Sequence, residues 1–129
     1  MTISSPEPFT LAAALANLAD EKKGSDITVL DTQDITSISD YFVIVTAESR
    51  TQLQAIAGGM QEVMKKTYGL EAKGVETDLP QHWILLDYGD IVVHLFNPES
   101  RQYYQLDNFW RHATVVEESQ WRAELKMAG

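Results

Sequence analysis

Cysteine is absent from the 129 residues of this chain, which excludes disulfides, thiolate metal sites and cysteine nucleophiles. No apolar run approaches the roughly 20 residues that a membrane-spanning helix requires. The amino terminus, MTISSPEPFT, has neither the basic start and apolar core of a signal peptide nor an Arg- and Ser-rich transit leader. These absences predict a soluble protein of a bacterial-type cytoplasm, without a membrane partner.

Motifs that bind phosphate or present a nucleophile are also missing. The sequence contains no G-x-x-x-x-G-K-[ST], no G-x-G-x-x-G and no G-x-S-x-G elbow. Gly24-Ser25 invites comparison with the pair that precedes the magnesium-binding carboxylates of nucleotidyltransferases. The acidic residues that follow, Asp26, Asp31 and Asp34, do not alternate on a strand where two-metal chemistry needs them. We therefore expect no cofactor and no nucleotidyl transfer.

The three histidines lie far apart and lack the spacing of a zinc site; they are His82, His94 and His112. His94 could form an acid–base group with Asp87 or Asp90, because all three belong to one predicted hairpin. The alternative is a structural histidine beside aspartates that cap a turn. We expect no bound metal ion and no enzymatic activity.

Positive charge is scarce, since 10 Lys and Arg residues face 19 Asp and Glu residues and leave a net charge of −9. Such a surface repels phosphate backbones, so direct nucleic-acid contacts are not expected to dominate binding. An acidic surface speeds encounter with a basic protein. The alternative is that the charge only keeps the protein in solution.

The segment Trp83–Phe96 contains two alternating apolar runs around the turn signal Tyr88-Gly89-Asp90 and predicts a β-hairpin. One predicted face is uniformly apolar and belongs to a core: Ile84, Leu86, Ile91, Val93 and Leu95. The other face is mixed and combines Trp83, Leu85, Asp87, Val92, His94 and Phe96. A mixed face of this kind either lies under a helix or accepts a partner.

Apolar spacing predicts the remaining elements in chain order. They are a helix capped by Thr10 and stopped by Gly24, strands near 26–31 and 41–45, a helix from Ser49 to Gly69, a strand at 70–76, a turn at 97–100, a short helix at 107–112 and a helix at 117–127. We expect the last helix to lie loosely on the body through Trp121 and Leu125. The predicted fold is a single α/β domain with a mixed sheet flanked by helices.

Aromatic residues with acidic neighbours suggest a protein-binding surface. Trp83 and Tyr88 supply the large rigid contact areas that are enriched among binding hot spots. Carboxylates surround them if the loop before Trp83 folds beside the hairpin: Glu76, Asp78, Asp87 and Asp90. An apolar patch with an acidic rim suits a basic protein, whereas the alternative for Trp83 is a core position at a strand start.

Several motifs resemble the ribosomal silencing factor S, or Iojap-like, family. They are SDITVLDT at 25–32, SDYFVIVT at 39–46, SRTQLQAI at 49–56, GVE at 74–76, WILLDYGDIVVHLF at 83–96 and RQYYQLDNFW at 101–110. The resemblance covers about residues 9–112, which we take as the domain. It leaves residues 1–8 as a flexible leader and 113–129 as a helical tail.

The resemblance implies a nucleotidyltransferase-like topology without catalytic residues. It also implies a translation repressor that binds large-subunit ribosomal protein fourteen and blocks joining of the ribosomal subunits when nutrients are scarce. The contact residues implied by position are Glu76, Trp83, Asp87, Tyr88, Asp90, His94, Tyr104 and Leu106. The alternatives are a large-subunit assembly factor at the same site and a residual nucleotidyltransferase-like enzyme. The sequence does not predict whether the chain forms a homodimer.

Overall fold

A computed structural model describes residues 7–77 and 83–128, so most of the predicted leader lies outside the described residues. In chain order the elements are α1 (Pro8–Glu21), β1 (Ser25–Asp31), β2 (Tyr41–Thr46), α2 (Arg50–Tyr68), β3 (Gly74–Thr77), β4 (Trp83–Asp87), β5 (Ile91–Phe96), α3 (Pro98–Tyr104), α4 (Leu106–Phe109), β6 (Thr114–Val116) and α5 (Glu118–Ala128). No helix of these two ranges is long and apolar enough to cross a membrane.

The six strands form one sheet in the order β3-β4-β5-β2-β1-β6. β2 and β5 are parallel, and every other neighbouring pair is antiparallel. The predicted mixed sheet of an α/β domain is therefore confirmed. β4 and β5 form the predicted hairpin, and Gly89 supplies the positive φ of 83° at its turn.

One face of the sheet carries the main core. Helices α1 and α2 pack on it, and the uniformly apolar hairpin face lies there as predicted. These hairpin side chains are almost completely inaccessible to solvent: Ile84, Leu86, Ile91, Val93 and Leu95. Burial of each such side chain contributes roughly 1.5 to 3 kcal/mol, so this face fixes the register of the hairpin.

The caps of α2 follow the sequence, whereas those of α1 do not. Ser49 Oγ accepts a hydrogen bond from the Gln52 amide at 3.1 Å, and Gly69 ends α2 with φ of 68°. The predicted cap at Thr10 is wrong, because α1 already begins at Pro8, which suits a first helical position. Thr10 Oγ1 instead donates to Glu124 at 2.6 Å.

The predicted stop at Gly24 is also wrong in its mechanism. Lys23 adopts the left-handed conformation, with φ of 66°, after α1 has ended at Glu21. Gly24 is needed for space instead, since a Cβ there would lie 2.6 Å from Val45 Cγ1. The chain can therefore enter β1 close against β2 only with glycine at this position.

The carboxy-terminal segment is an integral part of the fold. β6 pairs with β1, and Trp121 of α5 is 1% exposed within the main core. Asn17 Nδ2 donates to the Trp121 carbonyl at 2.8 Å. The prediction of a loosely attached helix is wrong, because α5 packs along α1. The side chain of Leu125 lies outside the described residues.

Three other boundaries differ from those predicted. The predicted turn at 97–100 is the start of α3, where Asn97 Oδ1 accepts from the Ser100 amide at 2.7 Å. The predicted strand at 70–76 is restricted to residues 74–77, and the helix predicted at 107–112 is the single turn 106–109. A capping Asn followed by Pro is a helix start as well as a turn signal, so the sequence pattern was ambiguous here.

Candidate functional site

Aromatic side chains gather on the face of the sheet opposite the main core. Strand alternation places Trp83 directly opposite Phe96, and Leu85 directly opposite His94, on this face. Helix α3 adds Tyr104. We call this cluster the aromatic face, and its rings are Phe42, Trp83, His94, Phe96, Tyr104 and Trp110.

The rings of the aromatic face form a continuous series of contacts. The indole of Trp83 lies nearly parallel to His94 and to Phe96, with centroid distances of 6.2 and 6.1 Å. Tyr104 lies 6.0 Å from Trp83 and 5.9 Å from Phe96. Aromatic pairs at these separations contribute roughly 0.5 to 1.5 kcal/mol beyond burial, so the cluster holds its own side chains in place.

His94 is buried at the base of the cluster. It is 8% exposed, and its Nδ1 accepts a hydrogen bond from Trp83 Nε1 at 3.4 Å. Burial lowers the pKa of His94 to about 4. The imidazole is therefore neutral at pH 7, as its acceptor role toward the indole requires.

The acid–base group of His94 with Asp87 or Asp90, which the sequence suggested, is not formed. Asp87 lies opposite Val92, and its Oδ1 accepts from the Gly89 amide at 2.8 Å, so it caps the hairpin turn. Asp90 lies at that turn, where its carbonyl accepts from the Asp40 and Tyr41 amides. Within residues 7–77 and 83–128, His94 makes no hydrogen bond to a carboxylate, and no group of three or more acidic or histidine residues could hold a metal ion.

Only part of the aromatic face is covered. Leu106 and Trp110 pack against Phe42 and Ile44, so α4 and the residues after it close the half over β1 and β2. Over β3 and β4 the face stays open among residues 7–77 and 83–128. Side chains that reach solvent there or at its border are Glu76, Trp83, Leu85, Asp87, Tyr103 and Tyr104. The open half thus combines apolar rings with two carboxylates.

The predicted contact residues divide into two groups. Six lie on the aromatic face or against its cover: Glu76, Trp83, Asp87, His94, Tyr104 and Leu106. Tyr88 packs instead on the main-core side, between the end of α2 and residues 70–72. Asp90 is exposed at the hairpin turn. Asp78 and His82 lie outside the described residues.

Tyr88 is oriented inward. Its hydroxyl is buried and has no hydrogen-bond partner among the described residues. Burial also raises the pKa of this phenol. A buried hydroxyl cannot form a hydrogen bond with a binding partner, although Tyr88 as a whole is partly exposed.

Leu85, Phe96 and Tyr103 belong to the site region and were absent from the predicted contact set. Leu85 and Phe96 share the alternation parity of Trp83 and His94, so the hairpin pattern already contained the signal for them. Tyr103, which is 79% exposed and lies 5.1 Å from Tyr104, depends on the position of α3. The local sequence does not predict where α3 lies on the sheet.

A cleft of about 420 Å³ is lined mostly by polar residues, including Arg101. Its walls include Asp26, Thr46, Glu48, Pro98, Gln102, Gln105 and Asn108. Two residues of these walls, Asp26 and Gln105, have positive φ. The cleft therefore follows the junction at which α3 and α4 meet the start of β1.

Comparison with known proteins identifies the family. The family model described as "Ribosomal silencing factor during starvation" matches residues 3–128. This chain belongs to the ribosomal silencing factor family. The match extends through residues 113–128, which the sequence resemblance had left out, in agreement with the packing of α5 into the core.

Relatives of this family span bacteria and plastids. The chain is 38% identical to the ribosomal silencing factor of Halalkalibacterium halodurans over 78% of this chain and 86% of the relative. It is 39% identical to the chloroplastic protein Iojap of Arabidopsis thaliana over 86% of this chain. The aligned region covers only 46% and 48% of the Iojap proteins of Arabidopsis thaliana and Zea mays, about half of their length.

Solved structures share the fold. A crystal structure from Chromobacterium violaceum superposes with a TM-score of 0.77 at 31% identity, covering 81% of this chain and 87% of that one. A structure from Bacillus halodurans gives a TM-score of 0.69 at 36% identity, covering 81% and 94%. The mixed sheet and its flanking helices are therefore a property of the ribosomal silencing factor family.

Proposed function

We propose that this chain is a non-enzymatic repressor of translation that binds the large ribosomal subunit through ribosomal protein fourteen. Bound there, it occupies the surface that the small subunit needs for joining, and it acts when nutrients are limiting. The family description and the names of the bacterial relatives support a ribosomal silencing role. The observation that carries the binding part is the open half of the aromatic face.

The open half has the composition of a protein-binding centre. Trp83, Leu85 and Tyr104 offer apolar area, and Trp and Tyr are enriched among residues that dominate binding energy. Glu76 and Asp87 add negative charge on the same face. The protein as a whole is also negatively charged, with a net charge of −9. Negative charge favours a basic partner and disfavours ribosomal RNA as the main contact.

The rings are held before any partner arrives. Trp83 stacks on His94 and Phe96, and its indole N–H already has an acceptor. A side chain fixed in this way loses little conformational entropy on binding, an effect worth roughly 0.5 to 1.5 kcal/mol for each immobilised side chain. Pre-organisation therefore supports binding by steric occupation of a surface. Catalysis would require reactive groups that are free to act, whereas His94 and Asp87 are engaged in structural hydrogen bonds.

Co-sedimentation with ribosomal particles tests this proposal. The chain is mixed with isolated large subunits, isolated small subunits or joined ribosomes, at a magnesium concentration that permits joining. We expect it to travel with free large subunits and to reduce their joining to small subunits. Purified ribosomal protein fourteen should bind the chain directly and compete with large subunits for it.

A matched variant makes the result specific. Ile38, which is 77% exposed on the loop between β1 and β2, provides an apolar truncation at a residue that belongs neither to the aromatic face nor to its cover. The Ile38→Ala variant should sediment like the wild type, whereas the Trp83→Ala variant should be depleted from the large-subunit fraction. If the wild-type chain bound no ribosomal particle, the proposed function would be wrong.

A further inference from the structure

Arg101 joins α3 to two strands of the sheet. One of its guanidinium nitrogens, Nη1, donates to Thr46 Oγ1 of β2 at 2.9 Å and also to the carbonyl of Asp26. The other, Nη2, donates to Thr28 Oγ1 of β1 at 2.9 Å. A single side chain therefore fixes the helix to the neighbouring strands β1 and β2.

Tyr104 follows Arg101 by three residues, about one helical turn, and attaches the same helix to the hairpin. Its ring contacts Trp83 of β4 and Phe96 of β5. Thr46, an acceptor of Arg101, is the register partner of Phe96 across the parallel pair. The guanidinium and the phenol thus hold one short helix across the strands β4, β5, β2 and β1.

Among the described residues, α3 is otherwise held mainly by Leu106 of α4, which packs on the same face of the sheet just after α3 ends. Helix α3 has only seven residues, and isolated helices shorter than about 12 residues are marginal in water. Asn97 caps its start, but a cap stabilises a helix without fixing it to a sheet. Tyr104 is 50% exposed, so its own burial anchors it only partly. The hydrogen bonds of Arg101 are therefore well placed to set where α3 lies.

We propose that Arg101 is a positioning residue for partner binding: by fixing α3 to β1 and β2 it places Tyr104 over Trp83 and Phe96 and so completes the open half of the aromatic face. This inference rests on the proposed function. The planar guanidinium reaches separate acceptors on two strands at once, whereas a lysine ammonium is a single point charge at the end of a flexible stem. Lysine is accordingly a poor substitute here.

Affinity for isolated large ribosomal subunits tests the inference, measured below the melting temperature of every variant. We expect Arg101→Ala to weaken binding about tenfold, the size typical of a residue that matters at an interface. Arg101→Lys should restore little of that loss. Arg111→Ala is the matched control. Arg111 is exposed and, among the described residues, donates only to the nearby Asn108 carbonyl, so the affinity of this variant should equal that of the wild type.

A double-mutant cycle with Tyr104→Ala separates positioning from a general loss of stability. If Arg101 acts through Tyr104, the double variant should bind no more weakly than Tyr104→Ala alone. Independent losses that multiply would overturn the inference, and so would an Arg101→Ala variant with wild-type affinity. Should Arg101→Ala fail to fold, Thr28→Val removes a single acceptor, and it should weaken binding by about threefold only when Tyr104 is present.

The same assay distinguishes this inference from the proposed function. If neither the wild type nor any variant binds large subunits, the proposed function is wrong and Arg101 has no partner to serve. If Trp83→Ala weakens binding but Arg101→Ala does not, the binding face stands and the positioning role of Arg101 is wrong.

Discussion

His94 and Trp83 depend on each other at the base of the aromatic face. The indole N–H needs an acceptor, and the imidazole supplies one only while it is neutral. Burial favours the same neutral state, since it lowers the pKa of His94 to about 4. The imidazole is therefore a structural support for the exposed edge of Trp83.

This pairing predicts acid-sensitive stability. The pKa of His94 in the folded chain lies below its unfolded value of 6.5, so the unfolded chain binds more protons between those pH values. The contribution of His94 to the free energy of unfolding is thus complete above about pH 6.5 and decreases by about 3 kcal/mol as the pH falls to 4. Urea denaturation from pH 7 to 4 measures it. His94→Gln, which keeps an acceptor but does not titrate, should show a shallower decline; an identical decline would contradict this role.

Trp83→Ala tests the binding edge of the same pair. We expect it to weaken binding to large subunits by about 2 kcal/mol or more, as a central aromatic hot spot does. Trp83→Phe keeps a ring over Phe96 but loses the hydrogen bond to His94, so its loss should be smaller. Titration calorimetry or sedimentation gives the affinities, and circular dichroism confirms folding. An unchanged affinity in a folded Trp83→Ala variant would remove this residue from the interface.

Single-residue predictions from the sequence were good where strand alternation decides direction. Trp83, Asp87 and His94 share a face because the side-chain period of a strand is two. Tyr88 follows Asp87 directly, so the same alternation places its ring on the main-core side with Leu86 and not on the face that the resemblance implied. There the Tyr88 ring packs near the end of α2. Asp90 lies at the turn, beyond the strand ends.

At the scale of elements, local signals identified α2 from end to end. Ser49 and Gly69 mark its limits, and apolar spacing marks its buried side. Its two adjacent glycines have different environments. A Cβ at Gly58 would meet nothing within 4 Å, whereas one at Gly59 would lie 3.1 Å from Leu18 Cδ1 of α1. Glycine therefore allows close packing against α1 at Gly59 but not at Gly58.

These environments predict opposite effects of alanine. Gly58→Ala should stabilise the protein by roughly 0.5 to 1 kcal/mol, because alanine restricts the unfolded chain and favours the helix. Gly59→Ala should gain less or destabilise, since Leu18 has to shift. Thermal unfolding of the two variants beside the wild type measures the difference. Equal stabilisation by both would show that α1 and α2 are not closely packed at this point.

Elements that depend on distant partners were harder to predict. β6 has three residues, and only its pairing with β1 makes it a strand. Trp121 showed helical spacing in the sequence, but its burial arises from α1, about a hundred residues earlier in the chain. The formation of β6 and the burial of α5 depend on tertiary packing, which a local sequence pattern does not encode.

At the scale of the whole molecule, the charge of −9 predicts salt-dependent association. The rate constant for binding large subunits should fall markedly as ionic strength rises, because salt screens the attraction to a basic partner. The dissociation rate should change less, since the apolar contacts around Trp83 are insensitive to screening. Stopped-flow or surface-based kinetics at several salt concentrations measures both rates. An association rate independent of salt would mean that the charge serves only solubility.

The closure of α5 over α1 has a consequence for how this chain acquires its structure. Thr10 bonds Glu124 across 114 positions, and Asn17 bonds the Trp121 carbonyl across 104. Contacts between such distant positions raise the contact order and slow folding. During synthesis, the side of α1 that α5 covers stays open until α5 has left the ribosome. The growing chain therefore exposes apolar surface of α1 while it is still attached to the ribosome. The ribosome is also the particle that the folded chain is proposed to silence.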